Sequence, residues 1–174
     1  MKAAMPATPD DLFAYLASLN IPQQTSWHAA VFTVEEGRAL RGTTEGGHTK
    51  NLFVRDKKGV PYLVVAQDDT EVELKSLHRL LGASGRFSFG SRDLMWELLG
   101  VEPGSVTPFS VINDTGRRVT VVLDRRLMAH EMLHFHPLTN TGTTTIARAD
   151  LVKFLTATGH PPRIEVLTGG DPSR

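Results

Sequence analysis

The chain has no cysteine. That excludes disulfides, thiolate nucleophiles and cysteine metal sites, and it is compatible with a reducing cytoplasm. It has no excess of either charge: 19 Lys and Arg balance 19 Asp and Glu, for a formal net charge of zero. A bulk electrostatic grip on nucleic acid is therefore not expected, and any RNA contact has to come from a local patch and a shaped pocket. No apolar run is long enough to cross a bilayer. Pro6, Pro9, Asp10 and Asp11 break up the first residues, which do not read as a signal peptide. Internal repeats and low-complexity segments are also lacking. What remains is an ordinary globular composition: 174 residues, 40% apolar and 22% charged, enough for one domain with a substantial core.

Thr8-Pro9-Asp10-Asp11 is a helix start, with a capping hydroxyl, proline at the first helical position and acids in the first turn. Leu12, Phe13, Leu16 and Leu19 form its apolar face, and Asn20-Ile21-Pro22 ends it. A strand is predicted over Trp27 to Val34, a short helix over Glu35 to Leu40, and a Gly- and Thr-rich loop over Gly42 to Thr49. Asn51 to Arg55 and Tyr62 to Ala66 flank Asp56-Lys57-Lys58-Gly59, a hairpin signal. Leu74 to Leu81 has helical spacing stopped by Gly82, and Arg86 to Phe89 is a short strand. Ser91 caps a helix that Gly100 stops. Pro108 to Ile112 and Val119 to Leu123 read as a second hairpin, Asp150 to Thr158 as a helix, and Arg163 to Leu167 as a last strand. Strands and helices mix without regular alternation, so the expected fold is α+β: a single domain over residues 1–167, with one mixed, largely antiparallel, barrel-like sheet and surrounding helices. Residues 168–174 are expected to be a disordered tail.

Several segments could carry chemistry. His130-Glu131-Met132-Leu133-His134 matches H-E-x-x-H, which on a helix puts two imidazoles on one face for zinc. Pro137 follows too closely for a helix, no third ligand stands at a suitable distance, and Met132, Leu133 and Phe135 fit a strand instead. Gly46-Gly47-His48-Thr49-Lys50 has glycines and a lysine but not the phosphate-loop order. Lys50, at the start of a strand beside a glycine loop, is placed to hold a phosphate as a point charge, although a solvated lysine fits as well. In Glu102-Pro103-Gly104-Ser105-Val106-Thr107-Pro108, a glycine and two prolines fix a tight loop whose N–H groups can converge on an anion such as the oxyanion of an ester under attack. A simple turn is the plainer reading. His130, His134 and His136 each fit a structural role, and Phe135 to Thr145 reads as a polar turn rich in hydroxyls. No Ser-His-Asp arrangement is visible.

Taken together, these segments resemble the editing domain inserted in bacterial prolyl-tRNA synthetases and its freestanding, YbaK-like relatives. The matching stretches are His48 to Asp56, Leu80-Leu81-Gly82-Ala83 with Arg86 to Phe89, Glu102 to Phe109, Phe135 to Asn140, and Asp150-Leu151 through Phe154-Leu155 to Gly159-His160. They follow the family's order over roughly residues 8 to 167. The resemblance implies a trans-editing deacylase that hydrolyses the ester of mischarged proline tRNA, nearest the subgroup that removes alanine rather than cysteine. It implies that Lys50 engages the terminal phosphate, that Gly104, Ser105, Val106 and Thr107 line the reacting centre with backbone groups, and that Asn51, Pro108, His130 and Ile21 form the aminoacyl pocket. Catalysis in the family needs no metal or cofactor and uses the substrate's own ribose hydroxyl to orient the water. The partner is the acceptor end of the aminoacylated tRNA, with prolyl-tRNA synthetase or an elongation factor as further candidates, in the cytoplasm. For tRNA contact, Lys50, Lys75, Arg79 and Arg86 are the candidate basic rim.

A synthetase pocket built for proline cannot strongly reject a smaller side chain, because missing methylenes cost it only about 1–3 kcal/mol. A second, smaller sieve answers that need. Two other readings stand beside the deacylase: a non-catalytic module that binds tRNA or a synthetase, and a zinc hydrolase using His130, Glu131 and His134.

Overall fold

The computed structural model describes residues 5–30 and 46–167. The first helix, α1 (Pro9–Ser18), starts on a reciprocal cap: Thr8 Oγ1 accepts from the Asp11 N–H (3.1 Å) and Asp11 Oδ2 accepts from the Thr8 N–H (2.9 Å). Leu12 and Leu16 face inward, and Asn20, at φ 59°, turns the chain toward β1 (Gln24–Trp27). Of the strand predicted over Trp27 to Val34, Trp27 lies in β1 and residues 28–30 follow it outside any strand. Pairing ends at Trp27, and residues 31–34 lie outside the described residues, as do the helix predicted over 35–40, residues 42–45 of the 42–49 loop and the 168–174 tail.

The first hairpin forms as its sequence predicts. Strands β2 (Thr49–Arg55) and β3 (Pro61–Gln67) pair antiparallel across a turn held by Asp56, whose Oδ1 accepts from the N–H groups of Lys58 and Val60 (2.9 Å each). Helix α2 (Leu74–Leu81) ends at Gly82 in the left-handed region. After β4 (Ser88–Phe89), Ser91 caps α3 (Arg92–Leu99), and Gly100 closes it. A 3-10 helix, Pro108–Asn113, leads to β5 (Thr120–Asp124), and a short 3-10 turn, Leu127–Ala129, leads to β6 (Met132–Phe135). The chain continues through β7 (Gly142–Ala147), α4 (Arg148–Ala157) and β8 (Arg163–Glu165).

Two sheets result, rather than the single barrel-like sheet expected, and among the described residues no barrel closes. One has order β1-β7-β6 and the other β4-β2-β3-β5-β8. The first is antiparallel; the second is mixed, with β3-β5 and β5-β8 parallel. An isolated bridge from Gly47 to Leu133 ties them together. Alternation along the strands sorts the larger sheet's faces. Phe53, Leu63, Val65, Val121 and Leu123 face the main core with α1, α3, α4 and the smaller sheet. Val54, Tyr62, Val64 and Val122 face a second cluster closed by Leu77 and Leu81 of α2.

Two further expectations are corrected. The second hairpin does not form, because its first arm is the 3-10 helix. Pro108 brings a fixed φ and no N–H, Thr107 Oγ1 accepts from the Phe109 N–H, and the Ser110 N–H donates to Thr107 O (3.0 Å). That leaves β5 to pair with β3 and β8. Of the hydroxyl-rich stretch read as a turn, residues 136–141 form one, whereas its end, Gly142 to Thr145, lies in β7, the centre of the smaller sheet, with Gly142, Thr144 and Ile146 inward and Thr143 and Thr145 half-buried. β-Branched threonines suit a pleated, half-covered surface.

Candidate functional site

The site is built from the chain between Gly46 and Asn51, where the two sheets meet. Gly46 has φ 112°, and a Cβ there would lie 2.5 Å from His134 Nε2. A Cβ on Gly47 would lie 2.8 Å from both Leu127 Cδ1 and Leu133 Cδ2, and 3.2 Å from His130 Cδ2. The bare glycines let this segment lie against β6. There the Gly47 N–H donates to Met132 O (2.9 Å) and the His134 N–H donates to Gly47 O (3.0 Å). Thr49 Oγ1 donates to His134 O (3.0 Å), and the His48 ring stacks on His134 with centroids 4.5 Å apart. These glycines serve strand contact, not a phosphate loop.

From this junction Lys50 and Asn51 enter β2 opposite Ala66 and Val65. Consecutive strand residues project to opposite faces, so the two are divided. Asn51 shares a face with Phe53 and Val65, toward the main core; Lys50 shares one with Leu52 and Val54, toward α2. Asn51 Oδ1 is buried and has no hydrogen-bond partner among the described residues. An orphaned buried acceptor is uncommon in a native fold and marks a place where a donor belongs.

The Glu102–Pro108 loop borders the same core through Val106 and Phe109. Its turn is closed by the Ser105 N–H donating to Glu102 O (3.0 Å), and Gly104 sits at φ 92°, which a Cβ would strain. Gly104 is exposed, whereas Ser105, Val106, Thr107 and Pro108 are buried. Among the described residues the N–H groups of Gly104, Val106 and Thr107 donate to no acceptor, and such groups can receive an anion. On the outer side Glu102 Oε2 accepts from Arg92 Nη2 (2.6 Å), an exposed pair of little energetic weight. Ile21, at the turn between α1 and β1, is buried in the same core.

His130 follows the Leu127–Ala129 turn, and its Nε2 lies 3.0 Å from Gln67 Oε1. Gln67 ends β3 opposite Thr49, on the face shared with Asn51. Its N–H donates to the buried carboxylate of Asp124. Neither Gln67 nor Asp124 is apparent in the sequence: Gln67-Asp68-Asp69-Thr70 reads as a polar strand end, and the partners come from across the fold.

The H-E-x-x-H helix is absent. His130 is in an extended conformation after the turn, Glu131 is exposed and His134 belongs to β6, where its Nδ1 pairs with Thr145 Oγ1 (2.7 Å). Among the described residues no group of three or more His, Asp or Glu is arranged to hold a metal ion. His136 lies apart, donating from Nδ1 to Gly142 O (2.9 Å). Burial holds its pKa below the usual imidazole value, helped by the nearby His28 and opposed by the Gly142 bond.

The basic candidates form a row more than a cluster. Lys75 and Arg79 are exposed on α2, which covers the Lys50 face. The helix runs from the Gln67 end of the sheet toward Asp56, whose Oδ2 accepts from the Ser84 N–H (3.1 Å). Arg86 is exposed just before β4, which pairs with Val54 and Arg55. At about 3.3 Å per residue, that end of β2 lies roughly 16 Å from Lys50. Among the described residues no helix is long and apolar enough to cross a membrane.

Comparison with known proteins agrees with this architecture. Residues 28–154 match the aminoacyl-tRNA editing domain. The prolyl-tRNA synthetase associated domain-containing protein 1 of Danio rerio is 42% identical, over 88% of this chain and 84% of its own. The prolyl-tRNA editing protein ProX of Acetoanaerobium sticklandii is 35% identical, over 86% of this chain and 91% of its own. A crystal structure described as a candidate trans-editing enzyme for prolyl tRNA synthetase superposes with a TM-score of 0.71 at 19% identity, over 96% of this chain and 100% of its own, a likeness of fold. A junction that carries Lys50-Asn51 between two sheets, a G-x-x-x-P loop bordering the same core and a match over most of the length lead to one conclusion: the chain belongs to the aminoacyl-tRNA editing domain family.

Proposed function

We propose that the protein is a trans-editing deacylase that hydrolyses the ester of mischarged proline tRNA, with alanine as the amino acid removed. The observation that carries this reading is the buried Asn51 Oδ1 without a partner, in a chain of the editing family. An aminoacyl ester brings an α-ammonium donor that such an acceptor can bind. Water attacks the ester carbonyl, the C–O bond to the terminal ribose breaks, and the leaving ribose oxygen takes a proton as the amino acid departs. The Gly104, Val106 and Thr107 N–H groups suit the oxyanion formed on the way. Lys50, at the sheet edge, suits the terminal phosphate, and Lys75 and Arg79 extend a basic path from it. Arg86 would meet the RNA farther out. Ile21, Pro108 and His130 would bound the side-chain pocket. No protein nucleophile, metal or cofactor enters this scheme, and the substrate's terminal ribose hydroxyl would orient the water. The setting would be the cytoplasm, with the synthetase or an elongation factor as possible donors of the tRNA.

The test is deacylation of proline tRNA charged separately with alanine, cysteine and proline, with Lys50→Ala alongside. Loss of alanine alone, slowed in the variant, is the expected result. Preference for cysteine would keep the reaction and change the substrate. Failure to hydrolyse any of the three would shift the reading to a non-catalytic tRNA- or synthetase-binding module.

A further inference from the structure

Gln67 belongs to no motif and takes no part in the scheme above, yet it is held on several sides. Its N–H donates to Asp124 Oδ2 (3.0 Å), which also accepts from Thr70 Oγ1 (2.6 Å), while Asp124 Oδ1 accepts from the Arg126 N–H (3.0 Å). Asp124 is fully buried at 0% exposure, so this anchor is rigid. The Gln67 side-chain Nε2 donates to Asp69 Oδ1 (2.7 Å), an oxygen also 3.3 Å from Arg126 Nη2.

That contact decides which way the amide points. An ionised carboxylate only accepts, so the amide NH2 faces Asp69 and the amide oxygen faces the other way. The Gln67 bond and Arg126 both hold the Asp69 carboxyl below the usual carboxylate range, which keeps it an acceptor. Gln67 Oε1 then lies 3.0 Å from His130 Nε2. An amide oxygen cannot donate, so Nε2 carries a proton, and in the neutral form of the ring the lone pair is on Nδ1. His130 Nδ1 has no partner among the described residues. The register puts Gln67 on the same face of the larger sheet as Asn51, whose strand partner Val65 is two positions away, and a Cβ on Gly47, four residues before Asn51, would lie 3.2 Å from His130 Cδ2.

We propose that Gln67 is a positioning residue that locks His130 in the Nε2-protonated tautomer, so that Nδ1 presents an acceptor, not a donor, to the aminoacyl end of the substrate. An acceptor suits an ammonium group, and a donor at that place would repel it. The kinetic consequence rests on the deacylase reading; the tautomer does not.

The experiment uses both. Two-bond 15N–1H spectra of the imidazoles report the tautomer directly, with His130 assigned by the signal lost in His130→Asn. The wild type is expected to show the Nε2-protonated form. Gln67→Met, similar in length but without the amide, is expected to give a mixture, and Gln67→Glu, which restores an oxygen acceptor, is expected to return the Nε2-protonated form. On mischarged tRNA, Gln67→Met is expected to lower kcat roughly tenfold with KM held within about twofold, and Gln67→Glu to recover part of the loss. A wild-type His130 protonated on Nδ1 overturns the inference even if the Met variant does not fold. So does a folded Gln67→Met protein with unchanged tautomer and kcat, given an active wild type. A wild type that hydrolyses no mischarged tRNA overturns the deacylase reading, and the spectra still decide the tautomer.

Discussion

His160 Nε2 lies 2.8 Å from Asp114 Oδ2, and both side chains are almost wholly buried, at 1% and 2% exposure. Asp114 follows the 3-10 helix Pro108–Asn113, and its Oδ2 also accepts from the Val119 N–H (2.8 Å) at the entrance to β5. His160 follows α4, and its Nδ1 pairs with Thr158 Oγ1 (3.0 Å). The pair pins the end of the last helix to the segment between the candidate loop and the larger sheet. Histidine is here a structural group, the commonest outcome for a buried imidazole with satisfied nitrogens.

Asp114 gives the fold an acid-sensitive contact. Burial alone would raise its pKa, but the hydrogen bonds from His160, Val119 and Arg118 outweigh that and hold the carboxyl below the usual carboxylate range. A depressed folded-state pKa stabilises above the unfolded value, near 3.9, and that contribution disappears as pH falls through the lower folded value. Asp114→Asn is expected to cost about 3 kcal/mol at neutral pH and to flatten the acid limb of stability. Urea denaturation of both proteins between neutral and acid pH checks this; parallel acid limbs would refute it.

Asn51 should separate activity from stability. Its Oδ1 has no partner to lose, so Asn51→Ala is expected to leave the melting temperature near that of the wild type. Deacylation by the same variant should fall at least about tenfold if the amide receives the substrate. A marked loss of stability with activity retained would make Asn51 a structural residue.

Gly47 should be intolerant of any side chain. The Cβ of Gly47→Ala would meet Leu127 and Leu133 at 2.8 Å, inside the sheet junction. Displacing that packing is expected to cost about 1–3 kcal/mol. Because His130 Cδ2 lies within 3.2 Å of the same point, substrate choice between alanyl and prolyl esters should weaken as well. Thermal unfolding together with the two esters measures both effects.

A chelator should leave hydrolysis unchanged. His134 is tied to Thr145 and His130 to Gln67, and the H-E-x-x-H segment is a turn running into a strand. Activity that disappears on chelation and returns with added zinc would reinstate the metal reading that this geometry disfavours.

Local signals explain how much could be read without coordinates. The Thr8–Asp11 cap, the hairpin around Asp56, and the glycine stops at Gly82 and Gly100 all form where the sequence places them. Each depends on neighbours within a few residues. Pro108 to Ile112 and Gly142 to Thr145 differ from their sequence reading because apolar and hydroxyl-rich runs of that length fit more than one structure until their partners are known. Lys50, Asn51 and the Gly104 loop were visible through the family resemblance, whereas Gln67 carried no signal, since its role depends on residues over fifty positions away.

By itself, then, the sequence determined the composition class, most of the helices and their caps, the first hairpin and the family. It could do so because caps, turns and hydrophobic periods are short-range. Only the tertiary structure decided that Lys50 and Asn51 look to opposite faces, that Gly46 and Gly47 join two sheets, and that Gln67 meets His130. Those outcomes depend on strand register and on long-range contacts, where a shift of one residue would turn every side chain to the other face.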